Sequence, residues 1–241
     1  IRGIDADFGP YQADTFFNDL HKTLKADFIM ANPPFNLSNW GQDKLKDDVR
    51  WKYGTPPAGN ANYAWIQHMI CSMSSGKGRM AVVMPQGILF RGNQEAEIRK
   101  QLVESDLIEA VVTLGDKLFY GTGLSPCFLI IRRMKQAHHS GRILMIDGSK
   151  ILTQKRAQNI LEENDIDRLY SLYQNYSDEE DYSRIVTLQE IRDKEYNLSP
   201  NRYVVYHKEE IRPYAEVLAE FKQAYADVKR LENEFSLLIN A

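Results

Sequence analysis

The sequence predicts an α/β protein built on a mostly parallel sheet, with an antiparallel hairpin at one edge of the sheet and a helical carboxyl-terminal tail. Two observations lead to this fold class. Short apolar runs, rich in β-branched residues and bounded by Gly, Pro or Asp, alternate with longer segments of helical periodicity. From about residue 208, apolar side chains recur at gaps of three and four, which is typical of a long helix.

Residues 1–150 are expected to form the core domain. Four apolar runs suit buried strands, at residues 27–31, 79–84, 107–114 and 126–132. Helical patterns occupy two of the connections, at residues 62–73 and 93–105. Asn93 is predicted to be the N-cap of the second helix. Another apolar run at 142–147 follows the strand at 126–133 after a short polar segment, which predicts the edge hairpin.

Residues 151–241 are expected to form a second, mainly helical region. A helix is predicted at 165–176, an acidic loop at 177–184, and a strand or strand-to-helix step at 185–191. The segment around Pro200 should be extended and constrained. The terminal helix carries an apolar stripe that either packs on its own domain or docks onto another chain; the stripe consists of Tyr214, Leu218, Phe221, Tyr225, Val228, Leu231, Phe235 and Leu238.

The composition of the chain, 241 residues with 43% hydrophobic content, is ordinary for a globular protein. No apolar run approaches the roughly 20 residues of a membrane span, and the first residues do not resemble a signal peptide, so a cytoplasmic protein is expected. Cys71 and Cys127 lie in apolar surroundings, which indicates buried free thiols in a reducing compartment. His138 and His139 are interpreted as solvated loop residues, and no metal site is predicted, because zinc needs about four grouped ligands.

The tetrapeptide Asn32-Pro33-Pro34-Phe35 directly follows the first predicted strand. Ligands of open α/β sheets bind at the carboxyl ends of parallel strands, so the motif stands where a site is expected. Proline fixes its own φ and restricts the preceding residue, so the two prolines hold Asn32 and the neighbouring carbonyls in one geometry. Because proline cannot donate to a neighbouring strand, those carbonyls remain available to a substrate. The alternative is a structural turn that only ends the strand.

An exocyclic amine on a purine is a substrate that suits this loop. Its lone pair is delocalised into the ring, which makes the nitrogen a poor nucleophile. The side-chain oxygen of Asn32 and a proline carbonyl can accept its two N–H hydrogens and direct the lone pair toward an electrophile. Phe35 would stack on the ring, a contact worth about 1–3 kcal/mol. No carboxylate base is needed, because the proton leaves after the nitrogen has become cationic.

The motif also resembles the catalytic loop of amino-methyltransferases that use S-adenosylmethionine to methylate adenine N6. Together with the segments "GRMAVVMPQGILFRG", "IEAVVTLGDKLFYGTGLSPCFLIIRR" and "YNLSPNRYV", it makes the chain similar to the modification subunit of type I restriction-modification systems. The resemblance implies the Rossmann-like, S-adenosylmethionine-dependent methyltransferase fold. The family's glycine-rich cofactor loop would precede the first strand. Since no such motif lies before residue 32, we expect the chain to be truncated at its amino terminus.

The resemblance assigns roles at matching positions of the catalytic loop. Asn32, Pro33 and Phe35 match the loop itself, and Pro34 supplies stiffness or a second carbonyl. The reaction implied is methyl transfer to an adenine flipped out of double-stranded DNA, with Phe35 stacking on that base. Transfer to RNA or to a protein glutamine is an alternative, because the same loop type serves those substrates. A non-catalytic assembly module is a third hypothesis.

Further roles follow from the resemblance outside the loop. Asp19 matches the carboxylate that binds the cofactor's adenine amino group, with Leu20 flanking that adenine, although an ordinary cap is equally compatible with Asp19. Phe119 falls where related enzymes place a second ring against the flipped base; a core phenylalanine is the competing interpretation, and Tyr120 is the alternative stacking residue. The segment 50–54 (RWKYG) either contacts the DNA backbone or forms a solvated loop.

The resemblance also implies partners. Sequence choice would be delegated to a specificity subunit, and a restriction subunit would complete the complex. The terminal apolar stripe is the candidate surface for contact with the specificity subunit. The chain has a net charge of −3, but residues 1–150 carry a net positive charge, so DNA is expected to meet that part.

Overall fold

The computed structural model describes residue 3 and residues 5–119, 123–207 and 213–239; side chains are described as far as residue 236. The described residues contain six strands: β1 Phe28–Ala31, β2 Arg79–Pro85, β3 Ile108–Leu114, β4 Pro126–Arg132, β5 Arg142–Gly148 and β6 Ser183–Thr187. The same residues contain five α-helices: α1 Asn62–Ser72, α2 Asn93–Glu104, α3 Glu163–Asn175, α4 Leu188–Asp193 and α5 Tyr214–Ile239. The predicted strands and helices are confirmed to within a few residues, but Pro200–Arg202 forms a short 3₁₀ helix where an extended segment was expected. The chain divides into two compact units, Ile1–Tyr206 and His207–Ala241.

The strands form one sheet in the order β1-β2-β4-β3-β5-β6. β1 pairs with β2, and β3 with β5, in parallel. β4 runs antiparallel to both β2 and β3, and β6 runs antiparallel to β5. The sheet is therefore mixed, with more antiparallel pairing than the sequence predicted.

The predicted hairpin between residues 126–133 and 142–147 is wrong in its pairing. Both strands exist, but β3 lies between them. All seven residues of β3 are buried, so this strand occupies a central place in the sheet. The polar connection from β4 to β5 passes beside the start of β3. A hairpin prediction assumes that consecutive strands pair with each other. Here β3, the more apolar strand, lies between β4 and β5 instead.

Helices cover both faces of the sheet. On one face, α1 and α2 pack with α4 and the segment after it on β2, β3 and β4, around fully buried side chains such as Ile66, Leu102 and Leu129. On the other face, α3 packs through Leu172 against β3 and β5. The sheet is therefore the middle of three layers, and the helices on its two faces hold the strands rigidly in place.

Residues 151–206 belong to the same compact unit as the sheet, so the division in the structure lies later than the predicted boundary at residue 150. β6 extends the sheet beyond β5, and Val186, Ile191 and Leu198 are buried in the core that β2 and β3 share. The predicted strand-to-helix step is confirmed, because the Thr187 hydroxyl accepts from the Glu190 backbone N–H and starts α4 in a capping box.

The structure corrects two local predictions, for Asn93 and Cys71, and confirms a third, for Cys127. Gly92, and not Asn93, is the N-cap of α2; Asn93 is the first helical residue, with a φ of 56°. Cys127 is buried, which raises the pKa of its thiol, and this confirms the prediction of a buried free thiol. Cys71 is free but partly exposed, because it lies near the end of α1.

His139 is buried, so its interpretation as a solvated loop residue is wrong. Its ring stacks on that of Tyr176, with centroids 3.5 Å apart. Its Nδ1 atom lies 3.3 Å from Oε1 of Glu109, a buried carboxylate that also pairs with Nε of Arg132 at 3.0 Å. His139 lies in the interior because the buried carboxylate of Glu109 requires polar partners. His138 is exposed, as expected.

The second unit contains α5. Of the predicted stripe, these side chains are exposed, and Val217 is exposed beside them: Tyr214, Phe221, Tyr225, Val228, Leu231 and Phe235. Their spacing places them along one face of the helix. Leu218 is half-buried, and the side chain of Leu238 lies outside the described residues. Among the described residues, no helix combines the length and apolar character that crossing a membrane requires.

Candidate functional site

The loop Asn32–Phe35 lies at the carboxyl end of β1. Its strand pairs in parallel with β2 up to the pair Ala31 and Val82, so both strands end at the same edge of the sheet. Asn32 is exposed, and Phe35 is half-buried. The prediction that the motif stands at a ligand-binding edge of the sheet is therefore confirmed in its placement.

Phe35 and Phe119 meet at this edge. Their ring centroids are 5.9 Å apart, and the rings stand at 74° to each other. Phe119 follows β3, whereas Phe35 follows β1, so the two rings come from strands that are not neighbours in the sheet. Both side chains are half-buried, which leaves part of each ring accessible. Tyr120, the alternative stacking residue, lies outside the described residues.

The segment that carries Phe119 is supported from two sides. At its start, Nε2 of Gln86 donates to the carbonyl oxygen of Leu114 at 2.9 Å and lies 3.3 Å from the carbonyl oxygen of Pro126. Further on, Nδ2 of Asn159 donates to the carbonyl of Asp116 at 3.1 Å. Gln158 donates from Nε2 to the carbonyl of Leu118 at 3.0 Å. The backbone leading to Phe119 is thus fixed by side chains distant in sequence.

The exit of the Asn32–Phe35 loop is anchored to the start of α1. The backbone N–H of Asn36 donates to Oδ1 of Asn62 at 2.9 Å, and Nδ2 of Asn62 donates back to Oδ1 of Asn36 at 3.0 Å. Nη1 of Arg91 donates to the same Oδ1 of Asn36 at 2.8 Å. The sequence analysis did not identify Asn36, Asn62 or Arg91. The signal available for Asn36 was its place directly after the motif.

Asp19 and Leu20 line a pocket of about 490 Å³. Ile29 of β1 and His68 of α1 line it as well, and Ile29 stands three residues before Asn32. Oδ1 of Asp19 accepts from the backbone N–H of His21 at 2.8 Å, so this carboxylate also stabilises a local turn. The pocket therefore joins a carboxylate to an apolar side chain, Ile29, on the strand that leads into the loop.

The purine end of an adenosyl cofactor fits the chemistry of this pocket. Its volume lies within the range of small-molecule sites, about 300–1,000 Å³. The Asp19 carboxylate can accept from an exocyclic amine, and the apolar lining can contact a ring face through Leu20, Leu24, Ile29 and Met69. Among the described residues, no group of three or more His, Cys, Asp or Glu side chains is arranged to hold a metal ion.

Arg50 has a structural role beside this pocket. Its guanidinium forms two hydrogen bonds to the Asp48 carboxylate, at 2.8 and 2.7 Å, and these bonds hold the pKa of Asp48 below its ordinary value. It also donates to the carbonyl oxygens of Thr15 and Phe16, at 3.1 and 2.5 Å. Its Nη1 lies 3.2 Å from Nδ1 of His68. Arg50 therefore fastens the segment that precedes Asp19 to α1.

The interpretation of residues 50–54 as a solvated loop is wrong for most of the segment, whereas Lys52 is exposed and the alternative, a contact with the DNA backbone, stays a prediction. Trp51 and Tyr53 are buried, 8% and 7% exposed, and the Arg50 side chain is only 10% exposed. Trp51 packs with Phe16 and Trp40 in an aromatic cluster. Cationic and aromatic residues alternate in this segment, as they would in an exposed basic segment, so the sequence pattern does not distinguish the two cases. Here the aromatic side chains are buried in the fold.

Comparisons with known proteins are consistent with this site. The N-6 DNA methylase family model matches residues 1–211. A type I restriction enzyme HindI methylase subunit from Haemophilus influenzae is 38% identical over 97% of the chain and 55% of its own length. A type I restriction enzyme MjaVII methylase subunit from Methanocaldococcus jannaschii is 36% identical over 97% of the chain and 42% of its own length.

A solved structure shows the same fold. The crystal structure of a type I restriction-modification system methyltransferase subunit from Streptococcus thermophilus superposes with a TM-score of 0.74 at 30% identity, covering 81% of this chain and 42% of that chain. The chain thus spans about half the length of the relatives it matches. With the family model covering most of its residues, the chain belongs to the N-6 DNA methylase family.

Proposed function

We propose that this protein methylates adenine N6 in double-stranded DNA, as the modification subunit of a type I restriction-modification complex in the cytoplasm. The observation that carries the proposal is the loop Asn32–Phe35 at the end of β1, with Phe35 and Phe119 in ring contact. S-adenosylmethionine, when bound, would supply an electrophilic methyl group carried on a sulfonium. Asp19 and Leu20 would hold the adenine of this cofactor in the pocket beside β1.

The chain's own residues would prepare the nucleophile. The side-chain oxygen of Asn32 and a carbonyl of the Pro33-Pro34 segment accept the two N–H hydrogens of the target amine. Accepting both hydrogens favours a tetrahedral nitrogen and concentrates the lone pair on it. The half-buried ring of Phe35 stacks on a face of the flipped base, and the ring of Phe119 lies against the same base, which compensates in part for unstacking. The two prolines keep the acceptors in place, so little reorganisation is needed.

A substrate competition experiment tests the DNA assignment. Methyl transfer from labelled S-adenosylmethionine is measured on a biotin-tagged, unmethylated duplex that is recovered before counting, with excess RNA, excess protein extract or excess untagged duplex as competitors. We expect label in the tagged DNA, and only the untagged duplex should reduce it. Label that enters RNA or protein preferentially, or transfer that excess duplex DNA leaves unchanged, would contradict the assignment. No transfer to any of the three would favour a non-catalytic assembly module.

The exposed face of α5 is proposed as the contact with the specificity subunit, and the restriction subunit would join the same complex. Phe221 and Leu231 lie on the stripe and are 66% and 57% exposed. The double substitution Phe221→Glu/Leu231→Glu should abolish co-purification with the specificity subunit, because it places charges in an apolar interface. Ala219→Glu, on the opposite face of the helix, is the matched control and should co-purify normally. Unchanged co-purification of the double variant would remove α5 from the interface.

A further inference from the structure

The backbone leaves the Asn32–Phe35 loop in a conformation that needs support. Asn36 has a φ of 52°, in the left-handed region that few side chains other than Gly, Asn and Asp adopt readily. Two reciprocal hydrogen bonds to the side chain of Asn62 hold it there. The carbonyl of the next residue, Leu37, accepts from the backbone N–H of Ala61 at 2.9 Å. The first residues of α1 therefore fix the exit of the loop at three points.

Asn62 is suited to hold this position because it is 0% exposed. A buried amide has no water to replace a lost partner, so a displaced Asn36 would leave polar atoms unpaired, at a cost of about 1–3 kcal/mol for each. The backbone N–H of Asn62 donates to Oδ1 of Asn60 at 3.1 Å. The orientation of the Asn62 side chain is thus set by buried hydrogen bonds and by the rigid start of α1.

Arg91 also contacts the side chain of Asn36. Its Nη1 atom donates to Oδ1 of Asn36 at 2.8 Å and lies 3.8 Å from Oε1 of Glu95. Oε1 of Glu95 accepts from Nδ2 of Asn60 at 2.8 Å, and Oδ1 of Asn60 accepts from the backbone N–H of Asn62, which closes a ring of five residues. We call Asn36, Asn60, Asn62, Arg91 and Glu95 the Asn36 ring.

Two features of the Asn36 ring distinguish it from ordinary packing. The Glu95 side chain is 6% exposed, and its second oxygen, Oε2, is buried without a hydrogen-bond partner. A buried, incompletely satisfied carboxylate is costly, and apolar side chains would fill the same space at lower cost. Arg91, at 40% side-chain exposure, remains partly open to solvent and points its guanidinium at the residue directly after Phe35.

We propose that Arg91 and Asn62 are positioning residues for methyl transfer, acting through Asn36 to hold Asn32 and Phe35 at the target base. This inference rests on the proposed function. The contacts reach Asn36, one residue from Phe35 and four from Asn32, so the ring acts on the loop and not on the substrate. A displacement of about 1 Å in such a loop can reduce a rate by about 100-fold, which gives the ring a catalytic consequence.

The test uses the natural full-length protein in its native complex and avoids an orphaned charge. Arg91→Ala alone would leave Glu95 buried without its cation, so the variant is Arg91→Ala/Glu95→Gln, with Glu95→Gln as the matched control. For the double variant we expect kcat at saturating DNA to be about 10–100-fold lower than for Glu95→Gln, with KM for DNA and for S-adenosylmethionine changed less than about 3-fold. The double variant and Glu95→Gln should unfold thermally at the same temperature. Arg91→Lys retains a donor and a charge, so its kcat should be higher than that of the double variant.

Three outcomes would overturn the inference. The first is an unchanged kcat in the double variant. The second is a higher KM for DNA with an unchanged kcat, where low salt lowers KM again, because Arg91 would then be a phosphate contact. The third is a fall in kcat that only accompanies a lower unfolding temperature, because the role would then be stability of the fold.

Asn32→Ala in the same assay separates this inference from the proposed function. If the wild type methylates DNA, Asn32→Ala is inactive and the Arg91 variant is fully active, only the positioning role fails. If the wild type transfers no methyl group to DNA, or Asn32→Ala is as active as the wild type, the proposed function fails and the positioning role falls with it.

Discussion

Replacing Asn32 with alanine should reduce methyl transfer to DNA by about 100- to 1,000-fold, the loss typical of removing one preorganised hydrogen-bonding group from a reacting centre. Its side-chain oxygen is the acceptor that concentrates the lone pair on the target nitrogen. Asn32 is exposed, so the substitution should leave the fold unchanged. Binding of S-adenosylmethionine, measured by calorimetry, should also be unchanged, because Asn32 does not line the pocket that contains Asp19.

Two companion variants make the Asn32 result specific. Asn32→Asp keeps an acceptor oxygen and should lose less activity than Asn32→Ala. Ser38→Ala removes another exposed polar side chain a few residues further along and should behave like the wild type. Retained activity in Asn32→Ala would refute the role of this residue, and an equal loss in Ser38→Ala would show that the assay reports disturbance of the loop as a whole.

Replacing Phe35 with alanine should lower kcat/KM for DNA by about 5- to 150-fold, the equivalent of about 1–3 kcal/mol of lost stacking on one base. Phe119→Ala should have an effect of the same order, since its ring meets that of Phe35 at 5.9 Å. Tyrosine at position 35 keeps a planar face and should retain most of the activity. The measurement is steady-state methyl transfer with DNA as the varied substrate.

Phe28→Ala is the matched control for the stacking prediction. Phe28 is 66% exposed at the start of β1, at the opposite end of the strand from the loop. Its removal deletes a ring of the same size without touching the site. Equal losses in Phe28→Ala and Phe35→Ala, or full activity in Phe35→Ala, would contradict a stacking role for Phe35.

The strands, the main helices and the Asn32–Phe35 loop could be predicted from sequence because each is encoded locally. Apolar runs between breakers predict strands, and a proline pair after such a run predicts a rigid edge. The order of β3, β4 and β5 could not be predicted in this way. Strand order depends on which strand is buried most completely, and β3 is enclosed at every position.

The residues that hold the loop in place could not be predicted from local sequence either. Asn36 and Arg91 are 55 residues apart, and Asn36 and Asn62 are 26 apart, so no motif joins them. Arg50 and Trp51 show the opposite error. Their composition favoured an exposed basic segment, but the Asp48 carboxylate and two backbone carbonyls satisfy the guanidinium in the interior.

The identity of the methylated atom tests the central claim most directly. Duplex DNA from a host that lacks this protein is incubated with the natural complex and isotopically labelled S-adenosylmethionine, digested to nucleosides and analysed by mass spectrometry. We expect label in N6-methyladenine, and none when Asn32→Ala replaces the wild type. Label in a methylated cytosine, or N6-methyladenine formed equally by Asn32→Ala, would contradict the claim.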